Sequence, residues 1–228
     1  MYRVAQYVLV VDKTPKQRLL DAAIEYVAAN GMSDVSLRTL AAALGTSHRM
    51  LIFHFGSKEG LWVEIIRTVE QRQRELLGQI LPDPSQPVGE AMRAWWRHIS
   101  DPSLWPNERL FFEIYGQALQ GRPHTTELLD GIVDDWLDPI TDINVSLGLP
   151  RSVARAHARL GVAVTRGLLL DLLATTDCAG VDDAMEAFIE VYETWLHDQA
   201  RRASPARERS RARVAGPGRS PRAAGSGA

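Results

Sequence analysis

The side chains with most to offer a partner lie between Ser47 and Lys58. Ser47, His48, Arg49, His54 and Lys58 are all polar donors, and Phe53 stands among them. Donors of this kind suit an acceptor-rich surface better than they suit bond-making. The remaining reactive residue types do not assemble into a centre. The six histidines, His48, His54, His98, His124, His157 and His197, include no His-x-x-x-His or Glu-x-x-His pair, so helical metal-ligand spacing is missing. Asp134-Asp135 and Asp182-Asp183 are adjacent rather than one turn apart and do not share a helix face. Residues 150–171 hold no Gly-rich phosphate loop, and Cys178, the single cysteine, has no obvious base near it. No enzyme, metal or cofactor is expected.

A second group is aromatic. Trp95, Trp96, Trp105, Phe111, Phe112, Tyr115 and Trp136 crowd a short span. Val88, Met92, Trp95, Trp96 and Ile99 recur at helical spacing, which reads as an ordinary core stripe. The other reading is an apolar cavity between helices, oriented by a few polar groups such as Arg166, His98 or Asp171. The residues alone leave both open. The ligand-binding candidates are Trp95, Trp96, Phe111, Phe112, Tyr115, Trp136 and Arg166.

Both groups need helices to hold them, and the chain reads as all-α, without alternating strand patterns or internal repeats. Thr14-Pro15-Lys16-Gln17 predicts a helix start: Thr14 caps, Pro15 suits the first position and Gln17 completes a capping box. Leu20, Ala23, Ile24, Val27 and Ala28 form its apolar stripe, and Gly31 ends it. Ser36 starts a short helix buried through Leu37, Leu40, Ala41 and Leu44, and Gly45 breaks it. Ser47 caps a third helix containing Met50, Leu51 and Phe53. Ser57 caps a long fourth one to about Gln79, and Leu81 to Pro87 is a proline-rich loop. Ala41 and Ala42 are small enough for two helices to approach closely. Leu40, Leu44 and Leu51 glue that pair to the first helix. Further helices are expected near 88–100, 107–120, 125–147, 151–176 and 181–200, with Pro139 kinking or breaking the third of these near Asp138.

Charge divides the same chain. Of 228 residues, 45% are hydrophobic and 24% charged, with a net charge of −2. Residues 1–60 carry +2, 61–200 carry −11, and 201–228 carry +7 through eight arginines and one glutamate. A near-neutral total therefore does not argue against a nucleic-acid partner. No apolar run reaches the length of a membrane span, no secretory signal is legible, and the location is read as cytoplasmic. The Arg-, Ser-, Pro- and Gly-rich end lacks the large apolar residues that order a segment. It is either an incidental extension or a DNA clamp acting through phosphate charge.

The segments RLLDAAIEYVAANG, VSLRTLAAALGTS and MLIFHFGSKEGL, spanning Thr14 to about Val69, resemble the DNA-binding domain of the TetR/AcrR transcriptional regulators. Ile52 departs from that pattern, where an aromatic residue is frequent. The acidic second half is similar to the family's ligand-binding and dimerisation region, with ARLGVAVTRGLLLDLLATTD resembling its penultimate helix. The resemblance implies four segments: an extension over 1–13, an N-terminal three-helix helix-turn-helix DNA-binding domain over 14–60, a larger helical ligand-binding and dimerisation domain over 61–200, and a disordered Arg-rich tail over 201–228.

It further implies that the third helix enters the major groove. Ser47, His48, Arg49 and Phe53 would lie nearest the base edges, and His54 and Lys58 would meet phosphates. Arg38 and Thr39 would add backbone contacts. Arg49 is the candidate for a bidentate guanine contact, and Phe53 either packs as core or touches a thymine methyl. The partners would be an operator duplex, a small-molecule effector and a second copy of the chain, as in a ligand-released repressor. Pairing is expected through Ala158, Gly161, Val162, Thr165 and Leu169, together with Ala184, Phe188, Val191, Tyr192 and Trp195. Two other classes compete: an all-helical enzyme or carrier using the aromatic cavity, and a helical interaction scaffold.

Overall fold

A computed structural model describes residues 13–31, 35–80 and 87–214. Among them are nine α-helices: α1 (Pro15–Asn30), α2 (Leu37–Ala43), α3 (His48–Phe55), α4 (Lys58–Ile80), α5 (Val88–Ile99), α6 (Trp105–Leu119), α7 (Asp134–Ser146), α8 (Arg151–Thr175) and α9 (Cys178–Val214). Short 3-10 turns precede α6 and α7, and no strand occurs among the described residues.

Local chemistry sets the first three helix starts. Thr14 Oγ1 accepts the Gln17 backbone N–H at 3.2 Å, while the Gln17 side chain takes the Thr14 N–H at 2.8 Å. Ser36 caps α2 and Ser47 caps α3 in the same manner, each such cap contributing about 1 kcal/mol. Gly45, at φ +65°, makes the turn between α2 and α3 in a conformation that disfavours any Cβ. Leu40, Leu51, Leu61 and Ile65 are then buried with Leu20, Ala23 and Val27 of α1. Of the two expected small contacts, Ala41 is buried but Ala42 is exposed, because α2 turns only one face inward.

This core does not stop at the N-terminal unit. Leu110, Phe111, Ile114 and Ala118 of α6 belong to it, so α6 lies against the α1–α4 group. A second core joins Trp96 and Ile99 of α5 to Leu169 and Leu172 of α8 and to Val181, Met185 and Ile189 of α9. The Arg93 guanidinium grips Glu186 of α9 with two nitrogens. The Glu193 carboxylate accepts the Gly89 N–H at 3.1 Å. Together these fix α5 along α9.

Several expected boundaries differ. α7 runs through Pro139 instead of breaking there. Proline in the second turn forfeits one bond, to the Asp135 carbonyl, whereas Gly131 at φ +78° supplies the real interruption ahead of Asp134. α6 begins two residues early, at Trp105. α9 passes the expected end at 200 and continues to Val214, so the start of the Arg-rich tail is helical. The expected disorder rests on burial, whereas extending a helix already nucleated needs no core. The extension up to Asp12, the proline-rich loop over 81–86 and the tail from 215 lie outside the described residues.

Most of the stripe expected to pair two copies faces the other way. Ala158 and Leu169 are buried, and Gly161, Val162 and Thr165 line a cavity. On α9, Tyr192 is buried, Phe188 lines the same cavity and Trp195 stacks on His157. Ala184 and Val191 of the expected residues do face outward, beside Ala187, and the outward face of α8 is Leu160, Ala163, Gly167 and Leu170. Leu160, Leu170 and Val191 are 49%, 51% and 68% exposed.

Candidate nucleic-acid interface and internal cavity

α2 and α3 bury Leu37, Leu40, Ala41, Leu51 and Phe55, and this leaves one continuous face to solvent. Arg38, Thr39, Ser47, His48, Arg49 and Phe53 are all on exposed positions of these two helices and their turn. Ser47 Oγ accepts the Met50 N–H at 3.2 Å, yet its own hydroxyl proton remains to donate. Thr39 shares a 2.8 Å bond with Ser36 Oγ. Phe53 is 77% exposed, so it is not core, and its ring meets His54 edge-on. Ile52 and Met50 are exposed beside it.

The cations here are uncommitted. Among the described residues Arg38 and Arg49 carry no ion pair, whereas Arg72, Arg93, Arg155 and Arg166 are each tied to a carboxylate. Lys58 is half-buried, its ammonium 5.9 Å from the centre of the Trp62 ring, at the N-terminal end of α4. There the helix dipole also favours an anion. His54 is more withdrawn than expected. It is half-buried and its Nε2 is buried without a partner, which does not favour the phosphate contact expected of it.

Residues from α4 to α9 line a partly open cavity of about 140 Å³. Trp95, Trp96, Phe111, Phe112, Trp136 and Arg166 line it. Tyr115 does not: it stacks behind Phe111, with ring centres 5.3 Å apart. His98 and Asp171, weighed as polar orienters, also lie off the wall. The polar groups on the wall include Glu70, Gln73, Glu108, Asn144, His157 and Thr165.

Those groups are organised. The Trp136 indole N–H donates to Glu70. Arg166 donates to the Ile132 carbonyl at 2.7 Å and reaches Glu70 at 3.5 Å, with its guanidinium 5.0 Å from the Phe111 ring centre. Burial pushes the Glu70 carboxyl up, against the pull of Arg166, the Trp136 N–H and Arg74. Glu108 accepts Gln73 Nε2 at 2.9 Å. Burial above all, with the Glu70 charge nearby, pushes it up to about 7 against that hydrogen bond. Tyr192 gives its hydroxyl proton to Asn144 at 2.8 Å, and burial holds the His157 imidazole below its ordinary value. Sequence reasoning missed both glutamates, since a carboxylate on a helix ordinarily marks a solvated face.

No group of His, Cys, Asp or Glu is placed to hold a metal ion, and no helix is long and apolar enough to cross a membrane, among the described residues.

Residues 19–65 match the family model for bacterial regulatory proteins, tetR family. Solved structures share the fold. A transcriptional regulator from Rhodococcus sp. Rha1 is 20% identical, with a TM-score of 0.63, over 78% of this chain and 95% of that one. A tetR-family member from Streptomyces coelicolor A3 is 23% identical, with a TM-score of 0.56, over 80% and 98%. A protein from Saccharomonospora viridis described as a putative transcriptional regulator, solved in complex with choline, is 20% identical, with a TM-score of 0.59, over 78% and 94%. No curated protein matches the chain.

Proposed function

We infer that this chain, a tetR-family regulator by its N-terminal domain and its fold, is a sequence-specific DNA-binding repressor that acts in the cytoplasm as a homodimer and is released by a small molecule. The observation that carries this reading is the exposed face of α2 and α3, with Arg38 and Arg49 free of ion pairs among the described residues and Phe53 standing 77% exposed. A free protein gains nothing by exposing that ring. A duplex offers it thymine methyls and offers Arg49 the paired acceptors of guanine.

The path from effector to DNA is physical. α4 carries Lys58 at one end and Glu70, Gln73 and Leu77 on the cavity wall. Phe111 belongs at once to that wall and to the core of the DNA-binding unit. A ligand that displaces either element changes the pose of α3. Ligand and DNA then oppose one another by one coupling free energy, typically ~1–3 kcal/mol. The choline complex of the Saccharomonospora viridis protein supports a small-molecule ligand for this fold.

Pairing of two copies fits the outward face of α8 and α9, where Leu160, Leu170 and Val191 are exposed and Ala163, Gly167 and Ala187 permit close approach. One short helix reads few base pairs, so two heads related by a two-fold axis are needed for selectivity. A gel shift on the DNA upstream of its own gene tests the proposal. A discrete complex that resists non-specific competitor is expected. Competitor removing all binding would favour the carrier or enzyme alternative.

A further inference from the structure

The two buried glutamates of the cavity are not equally matched. Glu70 takes the Trp136 N–H and lies 3.5 Å from Arg166 and 3.9 Å from Arg74. Glu108 is 6% exposed and accepts one neutral hydrogen bond, from Gln73 at 2.9 Å. No cation forms an ion pair with it among the described residues; the Arg166 charge acts on it only from beyond ion-pair distance, while Arg166 itself pairs with Glu70. An ionised carboxylate at such a site requires a partner. The surrounding wall is aromatic: Trp95, Phe111, Phe112 and Trp136 line the same space, Arg166 already lies over the Phe111 ring and Arg74 over that of Trp136, and no side-chain cation lies over Trp95 or Phe112 among the described residues. Ring faces carry negative quadrupole density and attract cations, most strongly when water is excluded. Arg166 is a poor anchor for an anion, because it is already engaged by the Ile132 carbonyl and Glu70.

We propose that the cavity takes a lipophilic monocation, a quaternary ammonium or protonated amine bearing one ring or a short alkyl body, with Glu108 as its counter-charge and the aromatic wall as its seat. The size suits one ring, since an apolar cavity of about 150 Å³ holds benzene and this one measures about 140 Å³, and because it is partly open the substituent on that ring can extend toward its mouth. The assignment rests on reading this cavity as the effector site.

The test is calorimetric titration of the full chain at mildly alkaline pH with three probes of similar shape: phenyltrimethylammonium, the neutral tert-butylbenzene, and benzenesulfonate. Phenyltrimethylammonium should bind tightest, about tenfold or more ahead of tert-butylbenzene, and benzenesulfonate weakest. Glu108→Gln keeps the shape and the acceptor for Gln73, and should erase the preference while leaving tert-butylbenzene binding unchanged. The wild-type series stands alone if that variant misfolds. Equal or tighter binding of tert-butylbenzene or benzenesulfonate in the wild type overturns the charge assignment but leaves the cavity as a binding site. Gly161 faces open space on the wall, so Gly161→Phe should block all three probes. Cation binding that survives this block, or no binding of any probe at millimolar concentration, overturns the effector-cavity reading and this assignment with it.

Discussion

Arg49 and Lys58 would read different properties of a duplex. Arg49→Ala should relax preference at one base position in each half-site and cost about 1–3 kcal/mol per contact. Lys58→Ala should weaken all sequences alike and lower the salt slope by about 1 per phosphate contact. Fluorescence anisotropy across a panel of sites and salt concentrations separates the two. Glu108 predicts a pH dependence. Its folded value of about 7 lies above the ordinary 4.5, so its protonated form favours folding. That contribution is complete below about pH 4.5 and is lost as pH rises through 7, a swing on the order of 3 kcal/mol at most. The Glu70 and Arg166 charges act on it in opposite directions, Glu70 raising its value and Arg166 lowering it. Glu108→Gln should flatten the fall in melting temperature over that window; an unchanged slope would show that Glu108 titrates normally. The caps at Thr14, Ser36 and Ser47 were legible in the sequence because a cap is a bond across three residues. The roles of Glu70 and Glu108 were not, because their burial depends on α4, α6 and α8 meeting across long stretches of chain.

Helix α8 is apolar on more than one side. Ala154, Ala158, Leu169 and Leu172 are buried, while Leu160, Ala163, Gly167 and Leu170 face outward. Periodicity finds both stripes but does not say which one the monomer keeps. That is why Gly161 and Thr165 were expected at an interface and stand on the cavity wall instead. The element-scale prediction follows from the corrected face. Gly167→Arg, or Ala163→Arg, would bury an unpaired charge between two copies at a cost of several kcal/mol. Sedimentation should then show monomers and weakened operator binding with the reading head intact. Dimers as stable as the parent's would place the interface elsewhere. Pro139 does not break α7, because the single hydrogen bond it forfeits is offset by the burial of Trp136 and Leu137 within the same helix.

Along the whole chain the charge changes sign by segment: residues 1–60 carry +2, 61–200 carry −11 and 201–228 carry +7. A polyanion would therefore be repelled by the middle segment and met by the first or the last. The core that begins under α3 continues through α4 and α6 to the cavity wall, so reading head and cavity are packed as one body. Phe111→Ala should therefore cost about 3–5 kcal/mol of stability and also uncouple ligand from DNA, which thermal melting and operator titration with and without phenyltrimethylammonium would report separately. Selection of duplexes from a random pool by the full chain tests sequence-specific DNA binding. An inverted repeat should be enriched, and Arg49→Ala should blur one position in each half. Folded, dimeric protein that enriches no sequence from the pool would contradict the account.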